Sequence, residues 1–201
     1  MHCATRIMCF GSSDAARAQK WSSPAIIKAM RRHGIPWNDT AQFCINGHFI
    51  TAYATSQPER KQRFCNTCGA ENIDACPHCG TTFEGAIHNA TMGGMSVAAF
   101  TPSTTPPPFC RECGAALPWT RQRLQAAADL TDLQQSLTDD EKALLKKSLD
   151  DLIRDTPQTT VAALRLKQFG AKAGKSALDG FRSILISVVS ETAKKILFPA
   201  P

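Results

Sequence analysis

The chain has 201 residues, 43% hydrophobic and 20% charged, which suits one or two small domains. Its formal charge of +6 is spread thinly: residues 1–40 carry six basic and two acidic side chains, residues 41–118 four and five, and residues 119–201 thirteen and ten. No apolar run approaches the roughly 20 residues of a membrane span, and Met1–Phe10, interrupted by His2 and Arg6, is too short for a secretory signal.

Residues 1–36 are rich in Ala, Ser and Arg, with one helix-compatible stretch, Pro24–Arg32, and a break at Gly34-Ile35-Pro36. They read as an N-terminal extension. Nine cysteines without an export signal point to a reducing compartment, where thiols bind metal instead of forming disulfides, so the expected location is cytoplasmic. Cys3 and Cys9 have no partner at ligand spacing and are read as ordinary thiols.

Residues 37–119 hold four close pairs: Cys44-x3-His48, Cys65-x2-Cys68, Cys76-x2-Cys79 and Cys110-x2-Cys113. Structural zinc takes four Cys or His ligands, so eight ligands make two closed tetrahedral sites. Each C-x2-C is followed by glycine (Gly69, Gly80, Gly114), which supplies the positive φ that a zinc knuckle needs for its amides to face the thiolates. Asn46-Gly47 inside the first pair favours a type I′ hairpin turn with its ligands on the two strand ends. Which pairs share a metal is open in the sequence. A nested arrangement is preferred, with Cys65, Cys68, Cys76 and Cys79 on one ion and Cys44, His48, Cys110 and Cys113 on the other; sequential pairing and cross-braced interleaving are the alternatives. Bound zinc with deprotonated ligands lowers the net charge to about +3. His78 should be exposed within its knuckle, and His88 is a spare ligand candidate. Residues 91–108, ending in three prolines, form an irregular excursion.

From residue 120 the pattern turns helical. A first helix over about 121–137 carries Leu124, Ala127, Ala128 and Leu137 on one face. Thr138-x-x-Glu141 is a capping box opening a second helix with the stripe Leu145, Leu149, Leu152 and Ile153. Thr156-Pro157 ends that helix and starts another, whose expected inner face is Val161, Leu164 and Phe169. Gly170 and Gly174 loosen the chain before a last helix, about 176–197, with Leu178, Phe181, Ile184, Leu185, Val188 and Ile196. The expected architecture is α+β: an extension (1–36), a double zinc-ribbon domain (37–119) and an α-helical domain (120–201).

Trp37, Cys44-Ile-Asn-Gly-His48, Phe64-Cys-Asn-Thr-Cys-Gly-Ala70, Cys76-Pro-His-Cys79, Pro108-Phe-Cys-Arg-Glu-Cys-Gly114 and Pro118-Trp119-Thr120 together resemble an uncharacterised family of bacterial proteins with paired zinc knuckles and a helical tail. The tail runs Asp150-Asp151-Leu-Ile-Arg-Asp155-Thr-Pro157 and Ser190-Glu191-Thr-Ala-Lys194-Lys195 agree with it, so the resemblance covers about residues 37–198. It implies the metal sites and a bacterial cytoplasmic setting, and no activity. Members of that family begin shortly before the Asp39-Thr-Ala-Gln42 run, so residues 1–29 are expected to be a mis-assigned start or a disordered extension, which intact mass from the native host would decide.

Functionally, the chemistry legible in the sequence is consumed by structure. A catalytic zinc needs an open coordination position, and eight ligands on two ions leave none. Neither a P-loop nor G-x-G-x-x-G appears, and Gly170-x3-Gly174-Lys175-Ser176 is one residue too short for the former. The expectation is therefore a non-enzymatic interaction protein that docks a partner or a second copy through its tail. The alternative is nucleic-acid binding by the ribbon with Arg60, Lys61 and Arg63, and a weaker reading is membrane-surface association through the last helix.

Overall fold

The protein is described by a computed structural model covering Ala29, residues 35–88 and residues 104–198. The expected extension, including Cys3, Cys9 and all of Pro24–Arg32 except Ala29, lies outside the described residues, as does most of the excursion at 91–108. The fold is α+β, with short antiparallel strands followed, among the described residues, by five helices. Contacts divide the chain into two units. One comprises residues up to Cys44 and from His48 to Thr104; the other comprises Ile45–Gly47 and everything from Thr105 on.

The first unit is built on strands β1 (Trp37–Thr40), β2 (Gln42–Cys44), β3 (Phe49–Thr51), β4 (Asn72–Ile73) and β5 (Glu84–His88). β1 pairs antiparallel with β5, while β3-β2-β4 form a three-stranded antiparallel sheet. Alternation in Trp37-Asn38-Asp39-Thr40 places Trp37 and Asp39 inside and Asn38 outside. Phe43 is buried and meets Phe49 and Phe83 edge to face, a small aromatic core at the geometry such rings prefer. Gly85 sits where two backbones cross: a Cβ there would run into the Ala52 carbonyl oxygen and lie 2.7 Å from the Thr40 carbonyl carbon. Only glycine fits that approach.

The second unit is helical: α1 (Pro118–Asp132), α2 (Asp139–Leu152), α3 (Pro157–Ala173), α4 (Lys175–Leu185) and α5 (Glu191–Leu197). Trp119, 1% exposed, donates from Nε1 to the Pro107 carbonyl at 2.8 Å, and Thr120 Oγ1 donates to the Pro108 carbonyl at 2.8 Å, so the triple proline is strapped to the start of α1. The Thr138–Glu141 capping box forms as expected, with the Thr138 amide 2.8 Å from Glu141 Oε2 and the Glu141 amide 3.3 Å from Thr138 Oγ1. Leu145, Leu149, Leu152 and Ile153 are all buried behind it.

Three helical expectations change. α1 ends at Asp132, leaving Leu133 74% exposed, and Leu137 is buried from the following turn. The inner face of α3 is Thr159, Ala162, Ala163, Leu166, Phe169 and Gly170, whereas Val161 and Leu164 are 41% and 54% exposed. Small residues let the neighbouring helices approach, and at Gly170 a Cβ would lie within 2.8 Å of Leu178 Cγ. The single last helix is two helices, because the backbone turns between Leu185 and Ser190, and Ser190 caps α5 by accepting from the Ala193 amide at 3.2 Å. Phe181, Leu185, Val188, Val189 and Ala193 of this region belong to the buried helical core. No described helix is long and apolar enough to cross a membrane.

Candidate metal centres

The three knuckles repeat one local geometry, dictated by the C-x2-C-G sequence. In each, the glycine amide donates to the first cysteine's carbonyl: Gly69 to Cys65 at 2.8 Å, Gly80 to Cys76 at 2.8 Å and Gly114 to Cys110 at 2.9 Å. The first cysteine's amide in turn donates to the residue after the glycine, at 2.8–2.9 Å for Ala70, Thr81 and Ala115. The glycines have φ of +70°, +75° and +67°, left-handed values that cost other residues strain. A bridge closes each loop: Phe64 with Glu71, Ala75 with Thr82, Phe109 with Ala116.

The fourth pair differs from expectation in its turn. Type I′ needs positive φ at both central residues, and here only Gly47 has it, at +87°. The Cys44 amide donates to the His48 carbonyl at 2.9 Å across a three-residue connection, and the His48 amide donates to Cys44 Sγ at 3.2 Å.

The eight expected ligands gather into two groups of four, within each of which the ligand atoms lie no more than 4.8 Å apart: Cys44, His48, Cys65 and Cys68, and Cys76, Cys79, Cys110 and Cys113. The pairing is therefore sequential, which corrects the nested arrangement. Its physical reason lies in the sheet: β4 pairs with β2 through Phe43↔Ile73 and Cys44↔Asn72, and that register carries the Cys65 knuckle to Cys44. In the first group Nδ1 of His48 lies 3.4 Å from Cys44 Sγ and 3.6 Å from Cys65 Sγ, and Cys44 Sγ lies 3.8 Å from Cys68 Sγ. A tetrahedron with metal–sulfur bonds of about 2.3 Å and a metal–nitrogen bond of about 2.0 Å has edges of about 3.8 Å and 3.5 Å. The donor set and its size thus fit a tetrahedral cation of the zinc class.

Electrostatics agree. Burial pushes the Cys65 thiol up, but the amides of Thr67 and Cys68, the Cys68 thiol and the His48 ring outweigh it and bring it down to about 6. In the second group Thr81 Oγ1 lies 3.3 Å from Cys79 Sγ. None of the seven described cysteines is in a disulfide. His78 is exposed, as expected. His88 is not a ligand: its Nε2 is 2.9 Å from Asp39 Oδ2, and its ring stacks on Trp37 at 4.1 Å. Sequence reasoning passed over Asp39, whose signal was only a charged residue at an inward position of a strand.

The model of one protein family matches residues 37–197, and the chain belongs to that family, described as uncharacterized proteins conserved in bacteria (DUF2321). No curated protein and no solved structure matches the chain.

Proposed function

We propose that this member of the bacterial family is a non-enzymatic interaction module of the cytoplasm, in which two structural zinc ions hold the knuckles in shape and a partner protein is met on the surface they organise. The observation that carries the reading is the division of eight donors into two complete sets of four, which gives each ion a filled tetrahedron and no position for water or substrate. The apolar residues of α4 and α5 are committed to the helical core, so docking or self-association through that stripe is disfavoured and the partner surface is sought on the first unit. Metal analysis should find two zinc ions per chain. Affinity capture from the native bacterium, with protein and nucleic acid both identified, should return a protein that competes with added untagged chain; capture of neither would overturn the reading.

A second reading, binding of single-stranded nucleic acid, is favoured by one feature. Phe64, 53% exposed at the rim of its knuckle, carries the Arg63 guanidinium 5.2 Å above its ring, the pairing that stacks bases elsewhere. Affinity for RNA and DNA across a salt series tests it, since phosphate contacts make log K fall steeply with log salt.

A further inference from the structure

We propose that Asn46 is a site of self-modification gated by the first donor set. While a metal ion joins Cys44 and His48 the residue persists. Once the ion is lost, the Gly47 backbone nitrogen closes on the Asn46 side chain, and the turn becomes an isoaspartyl linkage that no longer takes the ion. This goes beyond the interaction-module reading and stands on occupancy of the first donor set alone.

The sequence selects the residue. Of the five asparagines, Asn38, Asn46, Asn66, Asn72 and Asn89, only Asn46 precedes glycine. A side chain on the following residue hinders approach to that residue's backbone nitrogen, and glycine has none. Ile45, Asn46 and Gly47 are half-buried, so water reaches the turn. In the reaction the Gly47 nitrogen gives up its proton and bonds to Asn46 Cγ, the Cγ–Nδ2 bond breaks, and Nδ2 leaves as ammonia with that proton, which closes a succinimide ring. Water then opens the ring at either carbonyl, giving an isoaspartyl linkage through Cγ or an ordinary aspartate. One water is consumed, one ammonia is released, and nothing is oxidised or reduced.

The structure supplies the gate. Ring closure requires rotation about the Asn46 Cα–C bond until the Gly47 nitrogen faces Cγ, and the chain on either side resists it. The Cys44 amide donates to the His48 carbonyl at 2.9 Å, the His48 amide donates to Cys44 Sγ at 3.2 Å, and Gly47 sits at φ +87°. Cys44 Sγ and His48 Nδ1, the donors at the two ends of the turn, lie 3.4 Å apart. With an ion bound to both, the turn is a closed ring in which Asn46 cannot rotate far without breaking a metal bond. Without the ion the turn rests on hydrogen bonds of about 1 kcal/mol each, and such a segment opens locally.

The product makes the loss lasting. An isoaspartyl linkage runs through Cβ and Cγ, so it lengthens the main chain between Cys44 and His48 by one atom. The bond from the Cys44 amide to the His48 carbonyl then loses its register, and the two donors no longer converge with Cys65 and Cys68. The aspartate product keeps the main-chain length and serves as the control.

The test uses the zinc-loaded full chain, its metal counted at the outset, aged at mildly alkaline pH. Conversion at Asn46 is followed by peptide mapping, and isoaspartyl content by enzymatic carboxyl methylation. C65S/C68S removes half of the first donor set and leaves Cys44–His48 as it is; it should convert at Asn46 at least about tenfold faster than the loaded parent. C76S/C110S, which disables the other set, should convert at the parent's rate. Parent chain stripped by a chelator, aged and loaded again should lack one zinc equivalent per isoaspartyl residue, whereas N46D should hold both ions. Equal rates in the parent and C65S/C68S overturn the proposal, as does C76S/C110S converting as fast as C65S/C68S, or an isoaspartyl chain that regains both ions. A parent that holds no zinc at the outset overturns it together with the metal assignment. Full zinc content with equal rates overturns this site alone and leaves the interaction-module reading standing.

Discussion

Asp39 and His88 face each other across the β1–β5 pair, Nε2 to Oδ2 at 2.9 Å, with the carboxylate side chain wholly buried and the imidazole 28% exposed. Asp39 Oδ1 also accepts from the amides of Thr40 at 2.7 Å and Thr55 at 2.8 Å, and Oδ2 from the Ser56 amide at 3.2 Å. One carboxylate thus anchors a strand, a loop and the last residue of β5. Replacing it by alanine strands several buried donors, and D39A should lose about 3 kcal/mol of stability in urea denaturation followed by Trp37 fluorescence. D39N, which keeps the shape, should lose less.

The same residue makes a pH prediction. Burial raises the Asp39 carboxyl, but hydrogen bonds from Ser56, His88, Thr55 and Thr40 outweigh it and hold it below the ordinary 3.8. The unfolded chain therefore takes up the proton first. The stabilisation is complete above the unfolded value and is lost as pH falls through the lower, folded one. Acid unfolding of D39N should lack this component, and identical acid curves for the two proteins would contradict it.

Metal content can report the ligand pairing directly. Two tetrahedral sites predict that C44S/C65S loses one zinc equivalent and C44S/C76S loses two, measured by plasma mass spectrometry of the dialysed chains. The nested arrangement would make C44S/C65S lose two. Chelation should unfold the strands while much of the helical circular dichroism remains, because ligand binding supplies a large share of a small metal-bound unit's folding free energy.

Glycine substitutions should separate two kinds of constraint. Gly69, Gly80 and Gly114 have open space around the Cβ position, so alanine there costs only the left-handed backbone, about 1–2 kcal/mol. At Gly85 alanine collides with backbone atoms of Ala52 and Thr40, which cannot turn aside. G85A should cost about 3 kcal/mol or more, and a value equal to the knuckle glycines would refute the close crossing.

The face of α3 can be tested by two leucines two residues apart. L166A empties a site 1% exposed and should cost about 2–5 kcal/mol, whereas L164K, at 54% exposure, should stay within about 0.5 kcal/mol of the parent.

The helices show how far pattern alone reaches. Thr138, Glu141 and Pro157 mark helix starts by short-range chemistry, and the structure places them there. The inner face of α3 differs from the expected one because its buried stripe is made largely of alanine, glycine and threonine, which carry less hydropathy than the exposed Val161 and Leu164. Helix–helix packing rewards fit as well as apolarity, and fit is not written in a window of one helix. The break between Leu185 and Ser190 escaped for a similar reason, since the apolar residues continue through it into one core.

The eight candidate ligands are legible in the spacing of their pairs, and the positive φ of the three knuckle glycines follows from the sequence by itself, because each C-x2-C-G loop is closed by bonds among neighbouring residues. Which pairs meet is decided elsewhere. Every loop between pairs is long enough to allow several arrangements, and the cost of loop closure changes too slowly with length to choose among them. Tertiary structure made the choice through the β2–β4 register, which sets Cys44 opposite Asn72 and brings Cys65 and Cys68 to it. The buried Asp39–His88 contact is likewise a tertiary product, joining residues 49 positions apart that no local rule connects.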